Sequence, residues 1–352
     1  MTAAAEWYES EFGEPVDIAD FVDSLHELGF VREAGAEPVV ARPVRLRRLG
    51  RALFSAPALL AYTVVIGVWV VLLTRHGDLR PAPHQIFFVN SLVVVQLVVT
   101  FGQIPLLYLH EGYHILAGRR LGLPSRLRMS NRWVYTVFET EMNGLFGVAR
   151  RRRYLPFFAG MLCDVLVLAV FGIVADATRS TDGSLSVLGR VCLGMGFTVV
   201  MRLAWQFQLF LRTDLYYVFA TAFNCYDLHD ASKALLRNRI RRLLRRPGPL
   251  YDENQWTEYD RRVGRWYGPF LLLGFVTTIA IFVFATAPII IQYFVTAIGH
   301  IVSGQIDGLF WDSLVSLVIN VGQGVMVVVL ARRKRRQQTR PPVRLAETAA
   351  VS

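Results

Sequence analysis

The constraint that dominates this chain is a series of six apolar runs, each about twenty residues or more, separated by short arginine-rich blocks. The runs are Leu53–Leu73, Ile86–Leu109, Tyr154–Ala175, Val187–Leu211, Tyr267–Ile291 and Leu309–Ala331. A helix rises 1.5 Å per residue, so each run is long enough to cross roughly 30 Å of hydrocarbon. With 53% hydrophobic residues overall, the chain is too apolar for an ordinary water-soluble domain of this length. The first run begins about fifty residues into the chain, too far in for a cleavable signal peptide, and is expected to stay as an anchor.

The net charge of +11 is carried almost wholly by arginine, Lys233 and Lys334 being the only lysines. The positive charge lies in blocks at 43–51, 119–128, 150–153, 237–246 and 332–336, between apolar runs rather than along one continuous face. That pattern speaks for basic loops on one side of a membrane and against nucleic acid as a partner. The loops at 75–85, 176–186 and 292–308 hold few basic residues. Six crossings with both termini in the cytoplasm put every cluster inside and every poor loop outside. The expected architecture is therefore an all-α polytopic protein of the cytoplasmic (inner) membrane. It comprises an acidic N-terminal segment 1–42, a membrane domain 43–336 and a disordered tail 337–352. Cys163, Cys192 and Cys225 are widely spaced with no C-x-x-C, which suggests neither a disulfide framework nor a thiolate metal site.

At the end of the second run stands His110-Glu111-Gly112-Tyr113-His114, an H-E-x-x-H pattern. Residues four apart share a helix face, so both imidazoles can reach one ion while Glu111 sits one step round, placed to act on water. Two histidines and a glutamate at the end of a membrane helix are costly unless they have partners or a task. A zinc site with two His, one carboxylate and an open position is the expected task, with Glu111 as general base.

The third ligand has four candidates: Asp214, Glu139, Glu141 and Asp164. Asp214 follows the fourth run, which ends on the same side as the second, so the arginine-derived topology sets His110, His114 and Asp214 at one level. Asp164 and Arg202 fall at similar depth in antiparallel neighbouring runs, where an ion pair relieves both charges. This favours Asp214 as ligand and Asp164–Arg202 as a structural pair.

Three stretches, "HEGYHILAGRRLG", "RRRRYLPFFAGMLCDVLVLAV" and "FQLFLRTDLYYVFATAFNCYDL", resemble the site-2-protease-like intramembrane zinc metallopeptidases. Within that family the likeness is to the branch of peptide zinc metalloproteases associated with peptide-modification genes. It covers residues 86–230. It implies that the Asp of Thr213-Asp214-Leu215 is the third zinc ligand and that Gln206 stands in for an amide-donating Asn toward the substrate. The chain departs from the family at Leu209, Met161 and Leu215, where Pro, Pro and Gly are usual. The implied activity is hydrolysis of a peptide bond in a membrane-associated or leader-bearing peptide, with Zn2+ as cofactor. The alternative is a non-proteolytic membrane partner, such as an export or immunity component, that keeps the fold.

Several flanking features carry weaker expectations. "VDIADFVDSLHELGFV" sets Ile18, Phe21, Val22, Leu25 and Leu28 at helical spacing, with a turn at Gly29. It also resembles the last helices of leader-peptide recognition modules, but reads more simply as an acidic helix resting on basic loops. "RWVYTVF" alternates as a short strand or hairpin does, and Tyr135 and Thr136 are expected to pair with an unwound substrate. "RNRIRRLLRR", 237–246, reads as an amphipathic segment on anionic lipid. His229 and Asp230 read as solvated, and Pro105 as a kink one turn before His110.

Overall fold

The computed structural model describes residues 2–12, 17–27, 43–132, 135–225, 228–245, 251–253 and 256–338. The expectations for Leu28, Gly29, Trp133, Val134, Arg246 and the tail beyond 338 lie outside these residues. The chain divides into two compact units, Met1–Pro43 and Val44–Ser352. In the first, helix α1 (Thr2–Phe12) precedes helix α2 (Ile18–Glu27). The acidic helix is thus α2, started by Asp17, whose Oδ1 accepts from the Asp20 amide at 3.0 Å. Helix α1 lacks a clear apolar stripe, which is why periodicity did not reveal it.

The second unit is an all-α polytopic membrane domain in which, among the described residues, six helical stretches are long and apolar enough to cross a membrane: Ala56–Arg75, Leu92–Arg120, Arg150–Ala177, Val187–Trp205, Glu258–Val302 and Gly308–Leu330. A short helix α3 (Arg47–Leu53) precedes α4 (Ala56–Arg75), and α5 (Leu92–Arg120) carries the H-E-x-x-H. A hairpin of β1 (Ser125–Arg132) and β2 (Tyr135–Met142) follows, antiparallel with Arg128 opposite Glu139 and Leu127 opposite Thr140. Then come α6 (Arg150–Ala177), α7 (Val187–Trp205), α8 (Asp214–Phe223), α9 (Leu228–Leu243) and α10 (Glu258–Ile281). A π-helical turn, Phe282–Thr286, joins α10 to α11 (Ala287–Val302), and α12 (Gly308–Gln338) closes the domain. Serines cap three of the spans: Ser55, Ser91 and Ser186 accept from Ala58, Val94 and Gly189.

Helices α6 and α7 form the interior. They bury Phe157, Ala159, Cys163, Val167 and Leu168 from one and Leu193, Met195, Phe197 and Val199 from the other. Helix α4 buries none of its residues. Leu60, Phe284 and Val302 stand exposed, as apolar side chains facing hydrocarbon do.

Two boundaries differ from expectation. The fifth run extends to a 45-residue helical stretch, about 68 Å long and about twice the hydrocarbon thickness. The expected loop at 292–302 is therefore helix, because nothing between Ile291 and Val302 breaks one, and the turn falls at 303–307. The fourth run stops at Trp205, where the backbone leaves the helix, makes a tight turn at Leu209–Leu211 and takes a left-handed residue at Arg212. Helix α5 runs on through Pro105 without interruption.

Polar side chains tie the ends of the peripheral helices to the interior. Asp312 of α12 accepts from Ser91 Oγ at 2.5 Å and from the Leu92 amide at 2.6 Å, covering donors that the start of α5 would leave unpaired. Asn320 donates to Gln96 Oε1 and to the Tyr293 hydroxyl, linking α12 to α5 and α11.

Candidate metal centre

His110, Glu111 and His114 lie buried on the inward face of α5. Each histidine spends its Nδ1 on an acceptor from α6. His110 Nδ1 lies 3.0 Å from Asp164 Oδ2, and His114 Nδ1 lies 2.7 Å from the Pro156 carbonyl oxygen. An Nδ1–H held by an oxygen leaves the Nε2 lone pair free, and both Nε2 atoms point to one spot. There they lie 3.2 Å apart.

Asp214 completes the group from the first turn of α8. Its Oδ2 lies 3.2 Å from His114 Nε2 and 3.4 Å from His110 Nε2. Four donors around zinc at 2.0–2.1 Å in tetrahedral directions stand about 3.3 Å from one another. All three edges of this triangle match that length. Among the described residues, His110, His114 and Asp214 form the one such potential metal-binding group. The donor set of two neutral imidazoles and a carboxylate is also chemically suited to zinc.

No family model, curated protein or solved structure matches this chain.

The local chain path explains why Asp214 arrives here. After α7 ends, Gln206 grips the start of α8: its Nε2 donates to Asp214 Oδ2 at 3.1 Å and its Oε1 accepts from the Asp214 amide at 3.1 Å. Thr213 Oγ1 donates back to the Gln206 carbonyl at 2.6 Å. Gln206 was expected to offer its amide to a substrate; both ends of that amide are instead committed to Asp214. The carboxylate also sits at a helix start, where the backbone dipole favours negative charge.

Asp164 and Arg202 pair as their depths imply, Arg202 Nη2 lying 2.5 Å from Asp164 Oδ1. Asp164 is completely buried, and the same carboxylate orients His110. The pair is therefore not separate from the centre: Arg202 neutralises Asp164, and Asp164 sets the tautomer of His110. Glu141 is taken up by Arg126 on the hairpin at 2.9 Å. This contact, made outside the spans, lowers the pKa of the Glu141 carboxyl. Glu139 lines the cavity over the centre and is not one of the clustered ligands.

Glu111 receives a partner that the motif does not announce. Thr140 Oγ1 of β2 donates to Glu111 Oε2 at 2.7 Å and also lies 3.2 Å from the Glu111 carbonyl oxygen. The hairpin thus lies against Glu111. Tyr135 and Thr136 sit at the turn end of β2, paired with Arg132 and Asn131; their side chains lie outside the described residues. Thr136 is about 13 Å along the strand from Thr140, so Phe138–Met142 is the part of β2 that reaches the centre. Alternation identified the strand, but could not say which end would approach the helix.

Gly160 of α6 is the second residue that sequence reasoning passed over. A Cβ there would lie 2.5 Å from His110 Nε2 and closer still to His114 Nε2. Only a hydrogen fits between α6 and the converging imidazoles. Over the group opens a cavity of about 730 Å³, with Leu107, Phe138, Phe157, Met201, Trp205 and Tyr217 in its walls. Its volume lies in the range of pockets that take small organic ligands.

Elsewhere, His229 is buried rather than solvated. It packs edge-on against Tyr216, while Asp230 pairs with Arg212 at 2.7 Å. The first half of α9 buries Leu228, Ala231 and Leu235, and only its end leaves Ile240 and Leu243 exposed among arginines.

Proposed function

We propose that this chain is an intramembrane zinc metallopeptidase of the site-2-protease type, its centre held at the arginine-rich side of the membrane. The observation that carries the reading is the triangle of His110 Nε2, His114 Nε2 and Asp214 Oδ2 with edges of 3.2–3.4 Å, beside the buried carboxylate of Glu111. Held by His110, His114 and Asp214, zinc would supply the Lewis acidity that makes a water more acidic and polarises a carbonyl.

The chain's own groups do the rest. Thr140 holds Glu111 Oε2, which leaves Oε1 to take a proton from the attacking water and pass it to the nitrogen of the departing amine. Asp164 and the Pro156 carbonyl keep both imidazoles in the tautomer that presents Nε2. Gln206 fixes Asp214 in reach of both histidines. Apolar walls limit water to the supply at the centre and receive hydrophobic side chains of a membrane-derived or leader-bearing peptide. The outer edge of β2 offers backbone groups for an unwound substrate strand. This keeps the scissile carbonyl in an extended backbone next to Glu111.

The test compares wild type with Glu111→Gln, measuring bound zinc and cleavage of a co-expressed candidate peptide. Retained zinc with cleavage lost supports the peptidase. Cleavage unchanged by the substitution refutes Glu111 as the base. If none of the peptides encoded beside the gene is cut by wild type, the non-proteolytic partner role is favoured.

A further inference from the structure

A second cavity, of about 830 Å³, opens at the arginine-rich end of the bundle, apart from the metal centre. It is lined by Arg47 and Arg51 of α3, Arg120 at the end of α5 and Arg152 in the first turn of α6, above a floor that includes Leu121 and Leu155. Arg47 and Arg51 are four apart and so share one face of their helix. Helix α3 is held tightly against the end of α5: a Cβ on Gly50 would stand 3.2 Å from the Arg120 amide nitrogen. The Arg47 guanidinium reaches across to the turn at Gly122. Among the described residues, none of the four guanidinium groups has a carboxylate within salt-bridge distance, whereas Arg126, Arg179, Arg202 and Arg212 all do.

Four guanidinium groups that line one cavity without a carboxylate partner give it a positive potential that favours an anion. Their depth indicates which anion. Arg51 precedes the span that starts at Ala56 by little more than a helical turn, and Arg152 stands two residues before the apolar part of α6. That is headgroup level. Leu49 on the same short helix and Leu46 just before it are exposed beside the arginines, as in a segment that lies on the bilayer with its leucines in the acyl boundary.

We propose that this cavity binds the phosphate of an anionic phospholipid, clamped by Arg47, Arg51, Arg120 and Arg152, with the first carbons of its acyl chains on Leu121 and Leu155. Guanidinium forks match the paired oxygens of a phosphodiester. Such a lipid staples α3 to the end of α5, the helix that carries His110 and His114, and to the start of α6.

The test is native mass spectrometry of the full chain in detergent, titrated with phosphatidylglycerol or with phosphatidylcholine. Wild type is expected to retain one phosphatidylglycerol in preference to phosphatidylcholine. Arg51→Gln/Arg152→Gln should weaken that adduct about thirtyfold, at roughly fivefold per arginine. Arg45→Gln/Arg48→Gln removes the same charge from positions outside the cavity lining and should leave the adduct intact. Inorganic phosphate is the competing arm. If it displaces the lipid at millimolar concentration and gives the same rise in Tm on its own, the site takes a free anion and the lipid assignment falls. Equal loss in both double variants, or equal retention of the two lipids, overturns the site. So does a phosphatidylglycerol adduct that appears only when Asp17, Asp20, Asp23 and Glu27 are neutralised, since the acidic segment would then be the occupant.

Discussion

Replacing Gly160 by alanine tests the packing on which the metal centre depends. The added methyl would sit 2.5 Å from His110 Nε2 and 2.6 Å from its Cε1, where ordinary contact begins near 3.5 Å, so each ring must retreat by about 1 Å. Metal–ligand distances tolerate only about 0.2 Å. Merely disturbing the groups that orient a ligand costs about ten- to a hundredfold in metal affinity. Displacing two ligands should cost at least the upper end of that range. Overpacking itself should remove about 1–3 kcal/mol of stability. Two controls separate these effects. Gly172→Ala crowds Trp69 Nε1 at 2.5 Å, far along α6, and should lower Tm while leaving zinc in place. Gly112, inside the H-E-x-x-H, has open space around its Cβ direction, so Gly112→Ala should change neither. The assay is zinc per chain by elemental analysis after dialysis against a weak chelator, with Tm measured on the same samples. Full zinc retention by Gly160→Ala at wild-type affinity would refute the convergence of both Nε2 atoms beneath α6.

Four further outcomes are expected. Thr140→Val should keep zinc but lower kcat/KM about tenfold or more, since a hydrogen bond to a charged group is worth about 1.5–3 kcal/mol; unchanged kinetics would mean that the hairpin does not position Glu111. Gln206→Leu removes both contacts to Asp214 and should weaken zinc binding about ten- to a hundredfold in a chelator titration. Arg202→Met strands a buried carboxylate and should cost about 3–5 kcal/mol, read as reduced Tm, with Arg202→Met/Asp164→Leu recovering much of it but not the zinc affinity. Burial lowers the pKa of His229, on α9 outside the spans, to about 4. Because this folded-state pKa lies below the unfolded value, its contribution is complete above about pH 6.5 and erodes as pH falls, reaching a loss of about 3 kcal/mol at pH 4; His229→Gln should flatten that part of the Tm profile.

The spans were legible because membrane physics writes them in composition: hydrocarbon demands long apolar helices. The same logic brought Asp214 to the level of His110 and His114. What stayed hidden depends on three-dimensional contact rather than pattern. Asp164 was readable as the partner of Arg202 but not as the acceptor for His110, because depth along two helices does not specify which face turns inward. Gln206 was assigned outward, to substrate, since nothing in "WQFQLFLRTD" signals that the chain doubles back at Arg212 and returns the amide to Asp214. Gly160 and Thr140 carry no chemistry of their own, and only a structure shows that one leaves room for the imidazoles and the other holds Glu111. The fifth span runs past its expected end at Ile291, and two polar residues of the extension, Tyr293 and His300, bond Ser316 and Ser313 of α12.

The most direct test of the central claim is the zinc content of purified wild-type protein beside that of Asp214→Ala. The geometry predicts one tightly held zinc per chain in the wild type and its loss in Asp214→Ala, with the six-span fold retained by circular dichroism. Zinc held at full stoichiometry by Asp214→Ala would contradict the three-ligand centre, and with it the proposed peptidase mechanism.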